Sequence, residues 1–131
     1  MIKFMILFGQ PENADSFENI YQDFLALVER MPNILRRQVA HVTGSPQGSP
    51  EIYRILEIYF ESTETQTEAL MSAAGQEAGG ELARLPGGSV QLLFAEVYEE
   101  GGGSTPEPAT SKADDRAEET LSDSNAPSSA G

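Results

Sequence analysis

The chain predicts an α+β fold of the ferredoxin-like βαββαβ type, a four-stranded antiparallel sheet with two helices on one face. Three observations carry this. Strand-like and helix-like patterns alternate in that order through the first hundred residues, the first helix has an apolar stripe at three- and four-residue spacing, and the strands are apolar on both alternating rows. Two helices cover only one face of such a sheet. The second face needs a partner, and a second copy of the same sheet closes the pair into a dimeric α+β barrel.

The first strand pattern runs from Met1 to Gly9. A helix follows over Asp15 to Met31, with Phe17, Ile20, Tyr21, Phe24, Leu25, Val28 and Met31 on its buried side. Asp15 is placed to cap it, Glu18 to close a capping box, and Pro32-Asn33 to end it. Strands are predicted over Ile34 to Val42 and Ile52 to Phe60, joined by the turn residues of Gly44 to Pro50 as a long hairpin. The second helix pattern, Glu64 to Leu85, opens at Thr63-Glu64-Thr65-Gln66 and predicts a break near Gly75, because glycine costs a helix about 1 kcal/mol relative to alanine. Pro86-Gly87-Gly88 turns into the last strand, Val90 to Tyr98. Some of Tyr53, Ile55, Tyr59, Leu93 and Val97 are expected to supply the apolar and aromatic side chains of the second sheet face.

Composition narrows the function. The 131 residues are 39% hydrophobic, enough for one domain with a core. A net charge of -13, with only eight Lys and Arg, argues against nucleic acid and anionic membrane surfaces, which need clustered cations. The absence of cysteine excludes a disulfide framework, a thiolate nucleophile and Cys-ligated metal sites. Met1 to Phe8 is too short for a signal peptide, and no apolar run reaches the length of a membrane span; a cytoplasmic protein is expected.

Two regions are expected: a folded domain over residues 1–100, and a disordered acidic tail rich in Gly, Ser, Pro and Ala over 101–131. Leu121 is the only large apolar residue after Gly103, so the tail cannot bury enough surface to offset its ordering entropy. Net charge is -9 over residues 1–100 and -4 beyond them, so the acidity is shared.

Met1 to Gly9 with Pro11-Glu12, then Tyr53-Arg54-Ile55 with Glu57-Ile58-Tyr59-Phe60, then Ser72-Ala73-Ala74-Gly75-Gln76, and Gly87-Gly88 with Leu93-Phe94-Ala95-Glu96-Val97 form an ordered set of stretches. Together they resemble the EthD-type family, named for ethyl tert-butyl ether degradation, of the dimeric α+β barrel superfamily. The resemblance implies a homodimer through the second sheet face and a ligand pocket between sheet and helices. Phe4, Ile6, Tyr21, Phe24, Leu56 and Ile58 are the candidate lining. The departures matter as much. Where relatives carry a histidine and a proline on the first helix, this chain has Phe24 and Ala26, and where cyclase-like members place catalytic histidines it has Phe4 and Gly75. No catalytic role is carried over at those positions.

Three side chains remain as weak candidates for proton transfer. His41 is the only histidine, the residue type best suited to acid-base work near neutral pH, although a plain surface or structural histidine is the simpler reading. Tyr21 is the second. Glu57 is the third; with Tyr53 and Tyr59 it forms either a polar cluster or part of a dimer interface. No convergent carboxylates accompany His41, so no metal is expected, and Gly79-Gly80 and Gly87-Gly88 lack the context of a phosphate loop, so no cofactor is expected.

Three functions follow. The first is an EthD-like protein that binds a small apolar or aromatic metabolite, accessory to oxidative degradation. The second is a cofactor-free enzyme of cyclase, isomerase or monooxygenase type. The third is a non-catalytic dimer whose tail recruits a partner.

Overall fold

Burial alternates along Ile2–Gly9, with Phe4, Ile6 and Phe8 buried and Lys3, Met5 and Leu7 half-buried on the other row, the period-2 pattern of a strand between two environments. The computed structural model describes residues 1–101, and its folded unit spans Met1–Tyr98. Its elements are β1 (Ile2–Gly9), α1 (Ala14–Val28), β2 (Arg36–His41), β3 (Ile52–Phe60), α2 (Thr63–Met71), α3 (Ala73–Leu82) and β4 (Val90–Glu96). All strand pairs are antiparallel, in the order β2-β3-β1-β4. This is the predicted ferredoxin-like sheet. The acidic tail expected over residues 101–131 lies, apart from Gly101, outside the described residues.

α1 forms because Phe17, Ile20, Tyr21, Phe24 and Val28 share one face and bury against the sheet. Its cap is Asn13 rather than Asp15. The Asn13 side chain accepts from the backbone N–H of Ser16 at 2.9 Å, so the helix starts one residue before Asp15. Glu18 closes no capping box; its carboxylate reaches 36 positions along the chain to Arg54. The helix ends at Val28, short of Met31, as Arg30 and Met31 bond to carbonyls three residues back. Asn33 then takes a left-handed φ of 71° and donates from its side chain to the Thr65 carbonyl at 3.1 Å, tying the turn to α2.

The second helical region is two helices. Their junction is at Ser72, ahead of the break expected near Gly75. Ser72 is extended (ψ 164°), its hydroxyl donates to the Ala69 carbonyl at 2.6 Å, and it accepts from the Gly75 N–H at 3.1 Å, so one residue ends α2 and caps α3. Gly75 serves this elbow differently: a Cβ there would overlap the Ala69 and Leu70 carbonyls. α2 has its own capping box between Ser62 and Thr65.

Strand register assigns the two faces. Phe4, Ile6 and Phe8 stand level with Ile58, Leu56 and Arg54 on β3 and with Phe94, Leu92 and Val90 on β4, and this row faces the helices. Phe8 anchors an aromatic cluster, edge-on to Phe17 and Tyr21 at 5.4 Å each. The opposite face carries Lys3, Met5, Leu7, Ile55, Glu57, Tyr59 and Leu93. Ile55, Tyr59 and Leu93 sit where the sequence reading placed them. Tyr53 does not: its ring meets Phe17 edge-on at 5.4 Å and its hydroxyl donates to Glu18 at 3.1 Å, so it belongs with α1.

Candidate functional site

The elbow at Ser72 sets α3 against α1 and leaves a gap between α3 and the β1–β4 side of the sheet. Ala74, Ala78 and Leu82 recur every four residues on α3, so its inner face is small until Leu82. Bulky neighbours on the sheet and α1 do not close the space. A cavity of about 300 Å³ results, with Phe4, Phe24, Val28, Ile58, Leu82 and Phe94 in its wall and Gly75, Ala78 and Gly79 along its α3 side. None of its lining residues titrates, and an added Cβ at Gly79 would meet nothing within 4 Å. Phe94 stacks on Phe4 at 5.3 Å between ring centres yet is 68% exposed, so it stands at the mouth. This is an apolar binding space at the size of a small ligand site.

Of the six expected lining residues, Phe4, Phe24 and Ile58 reach the wall. Ile6, Leu56 and Tyr21 pack in the core beside it. Leu82, Ala78, Gly79 and Phe94 were missed by sequence reasoning. The small-residue spacing on α3 was the available signal.

A second cluster lies under α1. Arg54, 6% exposed, sits level with His41 on β2 and grips Glu18 through two hydrogen bonds of 2.9 and 2.8 Å. Its guanidinium also lies over the rings of Tyr21 at 4.6 Å and Tyr53 at 5.2 Å. The hydrogen bond from Arg54 holds the Glu18 carboxyl below its ordinary range, against the opposing effect of desolvation. Burial pushes the Tyr21 phenol up, and its hydroxyl has no partner among the described residues.

The three proton-transfer candidates are not brought together. Tyr21 is buried under α1, and His41 is exposed on edge strand β2. Glu57 is on the opposite face, bonded to Lys3 at 3.1 Å and to the Tyr59 hydroxyl at 3.2 Å. The Tyr59 hydroxyl is also 3.0 Å from Gln38 Oε1, and the Arg36 guanidinium stacks on its ring at 4.0 Å. None of the three lines the apolar cavity. Among the described residues no group of three or more potential metal ligands converges, and no helix is long and apolar enough to cross a membrane.

The fold has known counterparts. No family model matches the sequence. An uncharacterised 11.0 kDa protein encoded between thcB and thcC in Rhodococcus erythropolis is 26% identical over 97 residues, covering 73% of this chain and 94% of that protein. An ethyl tert-butyl ether degradation (EthD) family protein from Bacillus halodurans C-125 superposes with a TM-score of 0.70 at 25% identity, covering 75% of this chain and 99% of that one. A dimeric ferredoxin-like protein of unknown function from Jannaschia sp. CCS1 gives 0.59 at 16% identity, over 74% and 100% of the two chains. SnoaB, a cofactor-independent oxygenase from Streptomyces nogalater, gives 0.55 at 13%, over 76% and 94%. The last two show the fold alone. The chain thus belongs to the ferredoxin-like fold class, a four-stranded antiparallel sheet with helices on one face. Within that class it resembles the EthD-type family, as the stretches along β1, β3, α3 and β4 indicated.

Proposed function

We propose that the protein binds a small apolar or aromatic metabolite in the cavity between α1, α3 and the sheet, accessory to an oxidative degradation route. The observation that carries this is the cavity itself, about 300 Å³ with an almost wholly apolar wall and no titratable side chain in it. Burial of apolar ligand surface supplies the affinity, at about 25 cal/mol per Å² before the cost of immobilisation is subtracted. Likeness to an EthD family protein supports the degradative context. A cofactor-free enzyme, as in the oxygenase neighbour, would need an acid or base at the bound molecule, and Tyr21, His41 and Glu57 all lie off the wall.

The working unit in this reading is a homodimer through the second sheet face. Met5, Leu7, Ile55 and Leu93 make that face apolar beside the bonded Lys3, Glu57 and Tyr59 strip, and the Jannaschia protein, of the same fold, is dimeric.

Native mass spectrometry of the full chain tests both parts. The expected result is a two-chain mass with a co-purified apolar compound or a bound added naphthalene. Gly79→Leu, which fills the cavity from its open side, abolishes that binding. A wild-type protein that takes up no apolar molecule, or a Gly79→Leu variant that binds it as well, overturns the pocket reading.

A further inference from the structure

A second cleft of about 300 Å³ adjoins the apolar cavity, and the two share Leu70 and Phe94 in their walls. Its character is different. Thr63, Thr67 and Gln66 of α2 line it, with Glu96 of β4. Gln66 is 5% exposed, and its amide Nε2 is buried without a hydrogen-bond partner among the described residues. A buried amide donor left unmatched is costly, and folded proteins rarely tolerate one without a reason. The two neighbouring threonines add hydroxyls that donate or accept. Glu96 places a carboxylate in the same cleft, which repels an anion.

Resting on the pocket reading above, we infer that the ligand is a neutral amphipathic molecule: an apolar body in the α3 cavity and a hydrogen-bond-accepting oxygen, of the ketone, ester or ether kind, in the α2 cleft opposite Gln66. The shared Leu70 and Phe94 place the two spaces side by side, within reach of one ligand. Leu70 and Phe94 flank the point where body and head meet, and Phe94, stacked on Phe4, offers its ring to either part. An acceptor in the cleft would supply the partner that the Gln66 amide lacks among the described residues. A purely hydrocarbon ligand would leave that amide unmatched, and a carboxylate head would face Glu96.

Three matched probes test this on the full-length dimer or monomer, whichever is found. They are 2-acetylnaphthalene, 2-ethylnaphthalene and 2-naphthoate, titrated against the wild type, Gln66→Leu and Gln66→Met. The ketone-to-hydrocarbon affinity ratio is expected to fall about tenfold in both variants while 2-ethylnaphthalene binding changes less than about twofold, the size of one hydrogen bond. In the wild type, 2-naphthoate binds more weakly than the ketone. The infrared carbonyl band of bound 2-acetylnaphthalene moves to lower frequency in the wild type, a readout that needs no variant to fold. An unchanged affinity ratio, an unshifted carbonyl band or preferred binding of the naphthoate overturns the inference while leaving the pocket intact. Failure of every probe to bind the wild type removes the pocket reading, and this inference with it.

Discussion

The two faces of the sheet are built from the same strands by opposite means. On the helix side, β1 and β3 contribute Phe4, Ile6, Phe8, Leu56, Ile58 and Phe60, all buried, and the face is closed by shape except beside β4, where the apolar cavity opens. On the open side, Lys3, Glu57, Tyr59 and Gln38 satisfy one another by hydrogen bonds, while Met5, Leu7 and Ile55 are only half-buried and Leu93 is 46% exposed, with no layer over them among the described residues. The polar strip needs nothing more. The apolar part does, and in the proposed dimer it is the part left to join another chain.

The comparison breaks first at its strongest point. Phe8→Ala on the covered face, where the residue is fully buried among Phe17, Tyr21 and Phe24, is expected to cost about 3–5 kcal/mol in denaturant unfolding. Phe94→Ala at the cavity mouth is expected to cost about 1 kcal/mol or less, and to show instead as weakened naphthalene binding. Equal losses at the two positions would mean that the cavity is part of the core rather than a site.

The open face is tested next. Ile55 stands level with Leu7 and Ala40 in its apolar row. Ile55→Glu puts an unpaired carboxylate there and is expected to raise the dimer dissociation constant by at least about a hundredfold, with little loss of helical circular dichroism. A wild-type sedimentation mass of one chain at micromolar concentration would refute the assembly outright.

These two tests fall on features of unequal legibility. The stripe of α1 was readable because Phe17, Ile20, Tyr21, Phe24 and Val28 follow the period of the helix itself, and the double-sided strands were readable for the same local reason. The helix ends were less so. Asn13 and Asp15 both make good caps two residues apart, and only the bond to Ser16 decides between them. At the second helix the sequence pointed to Gly75, the residue that breaks helices by propensity, whereas the chain turns at Ser72 and uses Gly75 for close contact. The Glu18–Arg54 pair, 36 positions apart, and the cavity wall from Phe4 to Phe94 depend on how elements stack, which no local pattern encodes.

The buried pair offers a finer test, in which pH is the variable. Because the folded-state pKa of Glu18 is lowered, chiefly by its hydrogen bond to Arg54, the ionised carboxylate stabilises the fold above the unfolded pKa near 4.5, and that contribution is lost as pH falls through the lower folded value. Glu18→Gln should therefore be less stable than the wild type at neutral pH by about 1 kcal/mol, a figure reduced for a carboxylate whose side chain is 36% exposed. The gap closes on acidification through and below the ordinary carboxylate range. Unfolding curves at pH 7 and at pH 3 measure it, and a gap that stays constant would assign the loss to packing instead of charge.

The smallest effect has the opposite sign and contrasts two glycines four residues apart in α3. At Gly75 an added methyl would overlap the Ala69 and Leu70 carbonyls, and backbone cannot yield cheaply; at Gly79 the same methyl meets nothing within 4 Å. Gly79→Ala therefore gains helix propensity without a clash and is expected to raise stability by about 0.5–1 kcal/mol. Because Gly79 lines the cavity, the methyl also narrows it. A glycine held on an open helix surface at that cost is what a binding space on α3 would require. If Gly79→Ala stabilises the chain and weakens naphthalene binding together, the glycine gives up stability for room; if it stabilises without touching binding, the ligand sits nearer Phe94 and the sheet than α3.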